Sequence, residues 1–260
     1  MRMNKNAFFL LILIVPVGVT TLAALGRGIF NDGPQNKQRN PGKDDFESQF
    51  PVADYQPRAT SSESREKREA RNRRFKGEPG DINENSEVIL STRHWAEGLS
   101  GLPVGQSQAI IVGQVSDSKA FLTDDKSGVY SEFTINVDHV LKDNSSSPLS
   151  PNSSVTVERE GGRIRFSSGR VALSYTSGMG MPRIGRRYVL FLTHAFPFGE
   201  VQNEDYYLLT GYELRGGRVV PIDNPGGGTH PIAKYKDMDE EAFLSRVRAA
   251  IADSHPATAN

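Results

Sequence analysis

Val129-Tyr130-Ser131-Glu132-Phe133-Thr134-Ile135-Asn136-Val137-Asp138 is the stretch that decides the fold class. Val129, Ser131, Phe133, Ile135 and Val137 alternate with Tyr130, Glu132, Thr134, Asn136 and Asp138, so the two sets fall on opposite faces of a strand. Sustained over the whole stretch, that period predicts one long, half-buried strand with Phe133 in the core. Upstream, Ala109 to Val115 is β-branched and nearly continuous, as in a buried strand. Downstream, Val155 and Val157 restart the pattern, and Gly161-Gly162 reads as a hairpin turn into Ile164 and Phe166. Val171 to Tyr175, Arg187 to Leu192, Tyr206 to Leu214 and Val219 to Ile222 read as further strands, the last pair turned by Gly216-Gly217. No long helix interrupts them. The fold class is mainly β, a small antiparallel barrel or sandwich.

The flanks differ. Asp237 and Glu240 stand at capping-box spacing, and Phe243, Leu244, Val247 and Ile251 form one apolar stripe, which predicts a closing helix over 236–252 with a tail at 253–260. Before the β region, Thr92 to Leu99 reads as a short helix that places Trp95, the single tryptophan, as a core plug. Residues 26–87 are rich in Pro, Asn, Gln and charge with apolar residues scattered singly, and are expected to be a disordered linker. Within it, Arg65 to Lys76 carries seven basic residues against two acidic ones. That run reads either as a contact for anionic headgroups or polymers, or as a solvated linker with transient helix. The β domain is expected at 88–235.

Residues 7–25 hold no charge and follow a basic start, 1–6, containing Arg2 and Lys5. Such a run is either a membrane anchor or a secretory signal peptide. Both readings export the chain, and the basic start puts the N-terminus in the cytoplasm and the bulk outside. The membrane, through 7–25, is thus the first expected partner. The sequence has no cysteine, which excludes disulfides, thiol catalysis and Cys-based metal sites. Its 31 basic and 31 acidic residues cancel, so no nucleic-acid partner is expected.

Chemistry-bearing motifs are sparse. His94, His139, His194, His230 and His255 form no metal-ligand pattern, and no motif calls for a metal or cofactor. There is no G-x-S-x-G, and Gly178, Gly180 and Gly185 lack dinucleotide spacing. One group stands out: Arg163, Arg165, Arg170, Arg183, Arg186 and Arg187, with Arg159, face only Glu158 and Glu160 over the same span. Arginine grips phosphate or carboxylate bidentately, so these side chains are candidate contacts for an anionic polymer. The competing reading is a solvated outer face that blunts a sheet edge. Two functions follow. One is a non-enzymatic binding or structural module for an anionic ligand or an envelope protein. The other is an exported hydrolase using His139 or His194 with carboxylates such as Asp138.

Ile110-Ile111-Val112-Gly113-Gln114-Val115, Tyr130-Ser131-Glu132-Phe133 leading to Val140-Leu141-Lys142, and Gly185-Arg186-Arg187-Tyr188 through Leu192 together resemble a group of exported bacterial β proteins. There an apolar first strand leads to a long strand with a VLKG-like end and then a G-x-x-Y-x-L-F-L strand. Asp143 stands where that pattern has glycine. The strand order is also similar to the netrin-type OB-fold, although that type is usually cysteine-rich. The resemblance spans 108–222 and implies an OB-like barrel without bringing an activity with it.

Overall fold

The computed structural model describes residues 46–56, 65–77, 82–91, 94–144, 148–195 and 202–254. Residues 7–25 and 255–260 lie outside them. Among the described residues no helix is long and apolar enough to cross a membrane.

Two strands carry the architecture. β3 (Ala109–Leu122) and β4 (Val129–Asp143) form a long antiparallel hairpin, with Phe133 opposite Ser118 and Val129 opposite Leu122. The period of two holds: Phe133, Ile135 and Val137 point into the main core beside Ile111, Val115, Val157, Leu190 and Leu208. β5 (Ser154–Glu160) pairs with the other side of β4. β8 (Arg187–Ala195) pairs with the other side of β3, and β9 (Gln202–Arg215) pairs with β8. β9 then meets β5 in parallel through Val157–Tyr206 and Glu158–Tyr207. That contact closes the ring β3-β4-β5-β9-β8. β10 (Arg218–Pro221) extends β9 across Gly216-Gly217, whose positive φ angles (60° and 72°) suit a tight hairpin of type I′.

A second sheet of four strands has the order β1-β6-β7-β2, formed by β1 (Val52–Asp54), β6 (Gly162–Arg165), β7 (Val171–Thr176) and β2 (Val88–Ser91). Here the expected Gly161 hairpin is corrected. β5 and β6 do not pair with each other; Gly161 (φ 105°) is a corner where the chain leaves the ring for the second sheet. A Cβ on Gly161 would press on the Met181 methyl and the Ser174 carbonyl, so both space and φ call for glycine.

The closing helix, α2 (Glu240–Ser254), begins later than expected. Its cap is Asp239, whose carboxylate accepts the Ala242 N–H at 3.1 Å, while Asp237 sits at φ 61° in the preceding turn. Phe243, Leu244 and Val247 bury against Val189, Phe191, Tyr212 and Ile232 in a second core. Trp95 packs on the edge of this core from a turn at 94–98.

The disordered-linker expectation for 26–87 is corrected wherever that span is described. Phe50 is 1 % exposed inside the main core, and β1 pairs with β6. The helix α1 (Arg65–Arg74) and the following Phe75 dock on the ring, and Ile82 joins Ile164 and Phe166 in a third cluster. Single apolar residues in a polar stretch do serve as anchors when the folded part offers each one a seat.

Candidate functional site

The outer face of the ring is the first of two surfaces with chemical character. Alternation sends Tyr130 and Glu132 of β4, Glu158 of β5 and Asp205 and Tyr207 of β9 outward, and Glu132 lies directly opposite Glu158. Like charges in that position repel, and α1 resolves the conflict. Arg71 Nε donates to Glu158 Oε1 at 2.5 Å and Nη2 to Asp205 Oδ2 at 2.9 Å, while Nη1 lies 3.2 Å from Glu132 Oε1. One turn on, Arg74 Nη2 donates to Glu158 Oε2 at 2.5 Å. Phe75 stacks on Tyr130 with centroids 4.6 Å apart, and Phe121 stacks on the same tyrosine at 5.3 Å.

The β3–β4 turn holds the end of α1. Asn72 Nδ2 donates to Asp124 Oδ2 at 2.5 Å and its carbonyl accepts the Asp124 N–H at 3.2 Å. Gly77 and Gly128 lie backbone to backbone across this contact. A Cβ on Gly128 would collide with the Phe75 carbonyl, and one on Gly77 with that of Ser127. Inside the turn, hydrogen bonds from Ser127 and Thr123 hold the Asp125 carboxyl down at about 2.

Three carboxylates face two guanidiniums, so one proton makes the set neutral. Burial pushes Glu132 up to about 7, against the attraction of Arg71, and burial also raises Glu158. Burial works against the charge on Arg71, but the three acids outweigh it and leave that guanidinium raised.

The second surface is an open groove of about 910 Å³ beside the edge strand β2. Leu90, Trp95, Pro225 and Pro231 make its apolar walls, with His94, Glu97 and His230 among them. Trp95 Nε1–H donates to the Ser177 carbonyl at 3.0 Å, which fixes the ring, and the Arg159 guanidinium lies 5.6 Å from the ring centroid. His230 is spoken for as well: Nε2–H donates to the Ala96 carbonyl at 3.1 Å and Nδ1 accepts the Ile232 N–H at 3.3 Å. Val88 and Leu90 on the edge strand are about half exposed, at 52 % and 49 %.

The candidate residues of the sequence fall elsewhere. Arg163 Nε donates to the Phe50 carbonyl at 2.8 Å, Arg165 pairs with Asp54 at 2.8 Å, and Arg170 lies 3.7 Å from Glu87. All three hold the segment that precedes the ring. Arg186 lies 3.9 Å from Glu213. Arg187 bridges Asp138 (2.8 Å) and Glu240 (2.9 Å), tying β4 to α2. The Arg183 N–H donates to the Tyr188 hydroxyl at 2.8 Å. These arginines are spread over β6, β8 and the loops beside them, and these contacts go to separate partners.

The histidine pair is also separated. His139 pairs with Val112, and Val112 with Val189 two strands away; His194 lies five residues further along that strand, roughly 16 Å on. Asp138 is engaged by Arg187. His194 stacks on Tyr206 at 4.1 Å in a small cavity of about 230 Å³ shared with Ser154, Thr156 and Asp205, and neither hydroxyl hydrogen-bonds it. Arg71 and Arg74 belong to the basic run that the sequence singles out, but their pairing with Glu158, Glu132 and Asp205 escaped that reading. The one available signal was the i,i+3 spacing of Arg71 and Arg74 directly before Phe75.

No protein-family model matches the chain, and no curated protein sequence matches it.

Proposed function

We propose that this protein is a non-enzymatic binding domain, exported and held at a membrane through residues 7–25, that takes an extended apolar peptide of an envelope protein into the Trp95 groove. The observation that carries the reading is the groove itself. An indole fixed by its own hydrogen bond, two prolines and Leu90 line an open concavity beside β2, an edge strand onto which a guest strand can add. The closed order β3-β4-β5-β9-β8, with β5 and β9 parallel, supports an OB-type barrel as its scaffold. Behind the groove, the buried Arg159 lies 5.6 Å from the Trp95 ring centroid and pairs with Asp223 at 2.6 Å.

The test uses the one tryptophan as reporter. Apolar peptides selected on the full chain from a random display library should shift the Trp95 emission on binding, and Leu90→Glu should abolish that shift. Leu90 is exposed, so the fold survives the change. Selected peptides that bind without moving Trp95 emission, or bind Leu90→Glu equally, would defeat the reading.

A further inference from the structure

α1 is an unusual piece of core. Its sequence, Arg65 to Arg74, contains one apolar residue, Ala70, and ten residues of such composition do not hold a helix in water unaided. It offers the ring no apolar stripe of the kind that α2 buries through Phe243, Leu244 and Val247. Arg71, Asn72, Arg74 and the trailing Phe75 are the side chains that tie its second half to the ring and to the β3–β4 turn. The face beneath it is nonetheless finished: Glu132 opposite Glu158, Asp205 beside them, and Tyr130 as a stacking plate. The arginine side chains there are 9 % and 2 % exposed, and the two glycines bring backbones into contact at the rim. The seat is specific, and its occupant is held by two guanidiniums and one aromatic ring, with no apolar face of the helix itself.

We propose that this acidic face is a docking site for a basic helix of a partner protein carrying Arg-x-x-Arg followed by an aromatic residue, and that α1 occupies it in cis as a competing internal ligand. Charge complementarity selects the class of guest. Two guanidiniums one helical turn apart match two cross-strand carboxylates and Asp205, and the aromatic residue after them lands on Tyr130. An anionic guest would meet three carboxylates, and a guest without arginine would leave Glu158, 1 % exposed, buried and unpaired. Release of α1 and entry of the guest are then one exchange, and the affinity for the guest is set by how often α1 is away.

The absence of cysteine supplies a clean experiment. The Asn72 side chain meets both the Asp124 carboxylate at 2.5 Å and the Asp124 N–H at 3.2 Å, so Asn72→Cys/Asp124→Cys in the full chain, its bridge verified by thiol titration before binding is read, puts a reversible clasp on α1. The probe is a labelled synthetic peptide of residues 65–77, followed by fluorescence anisotropy at low salt. Reduction should tighten its binding by about tenfold or more over the oxidised form, since opening limits the exchange. Added salt should weaken it. Unchanged Trp95 emission in both redox states reports an intact fold. As a second arm, Arg71→Ala/Arg74→Ala should bind the probe more tightly than the wild type, and adding Glu158→Gln should abolish the gain. Equal binding in the oxidised and reduced forms would overturn the proposal. So would binding that survives Glu158→Gln, or a chain that binds only a second copy of itself and never the peptide.

Discussion

At the scale of single residues, two buried charge sites set the response to pH and mutation. Glu132 stays protonated in the folded chain up to about 7, whereas in the unfolded chain it ionises near 4.5. Between those values the folded state holds the extra proton, so stability is full below 4.5 and falls as pH rises through 7. The groups facing Glu132 are Glu158, Asp205, Arg71, Arg74 and Tyr130, and Glu158, raised in the same direction, adds to the slope. Urea denaturation at pH 5 and pH 8 should therefore show the chain more stable at pH 5, and Glu132→Gln should flatten the difference. The second site is Arg159–Asp223, both side chains fully buried at 2.6 Å. Asp223 also accepts the Gly180 N–H and the Thr210 hydroxyl. Asp223→Ala strands a buried guanidinium and should cost about 3–5 kcal/mol in the same assay. A loss under about 1 kcal/mol would mean that Arg159 finds another partner.

Elements differ in how well their sequences announce them. β4 was legible because Phe133, Ile135 and Val137 face one packed interior, and packing on one face is what a period of two encodes. Tyr130 marks the limit of that signal. It sits on the outward face, yet is 2 % exposed because Phe75 arrives from far upstream and covers it. Nothing in the alternation of β4 can report a lid supplied by another segment. The helix of α1 was within the sequence reading, but its docking was illegible for a related reason: a helix anchored by arginines has the composition of a solvated one, and only the acids beneath it distinguish the two. The arginines of the β region misled in the opposite sense, since Arg163 and Arg165 look free in sequence while Phe50 and Asp54 wait more than a hundred residues away. Two substitutions check these elements by thermal unfolding. Phe75→Ala should cost about 3 kcal/mol and uncover Tyr130. Asp239→Ala, which removes the cap of α2, should cost about 1 kcal/mol.

For the whole molecule, the folded unit starts well before the β region. A chain cut at Val88 loses Phe50 from the main core, Phe75 from the outer face and both guanidiniums from Glu158. Limited proteolysis of the full chain should leave a resistant fragment that still contains Phe50, while protein expressed from Val88 onward should unfold at markedly lower urea or aggregate. Full stability in the shorter chain would show that the docked segment contributes little. Ring closure was the least legible feature at this scale. The parallel contact of β5 with β9 rests on two residue pairs nearly fifty positions apart, and local pattern carries no trace of it.

The order in which the chain meets its own fold has a mechanical meaning. Phe50 in the main core comes first, next β1 with three residues paired to β6, then α1 on its acids, then β2, and only then the strands of the ring. A load applied through the residues before Phe46 reaches these contacts one after another. Each can yield while the ring, built on the long antiparallel ladders of β3 with β4 and β8 with β9 and closed by the β5–β9 contact, stays whole. Pulling at that end should give several small rips at low force before one large one, whereas pulling across β3 and β8 should give the large one alone. The segment before the ring would thus serve as a graded shock absorber for the domain it is fastened to.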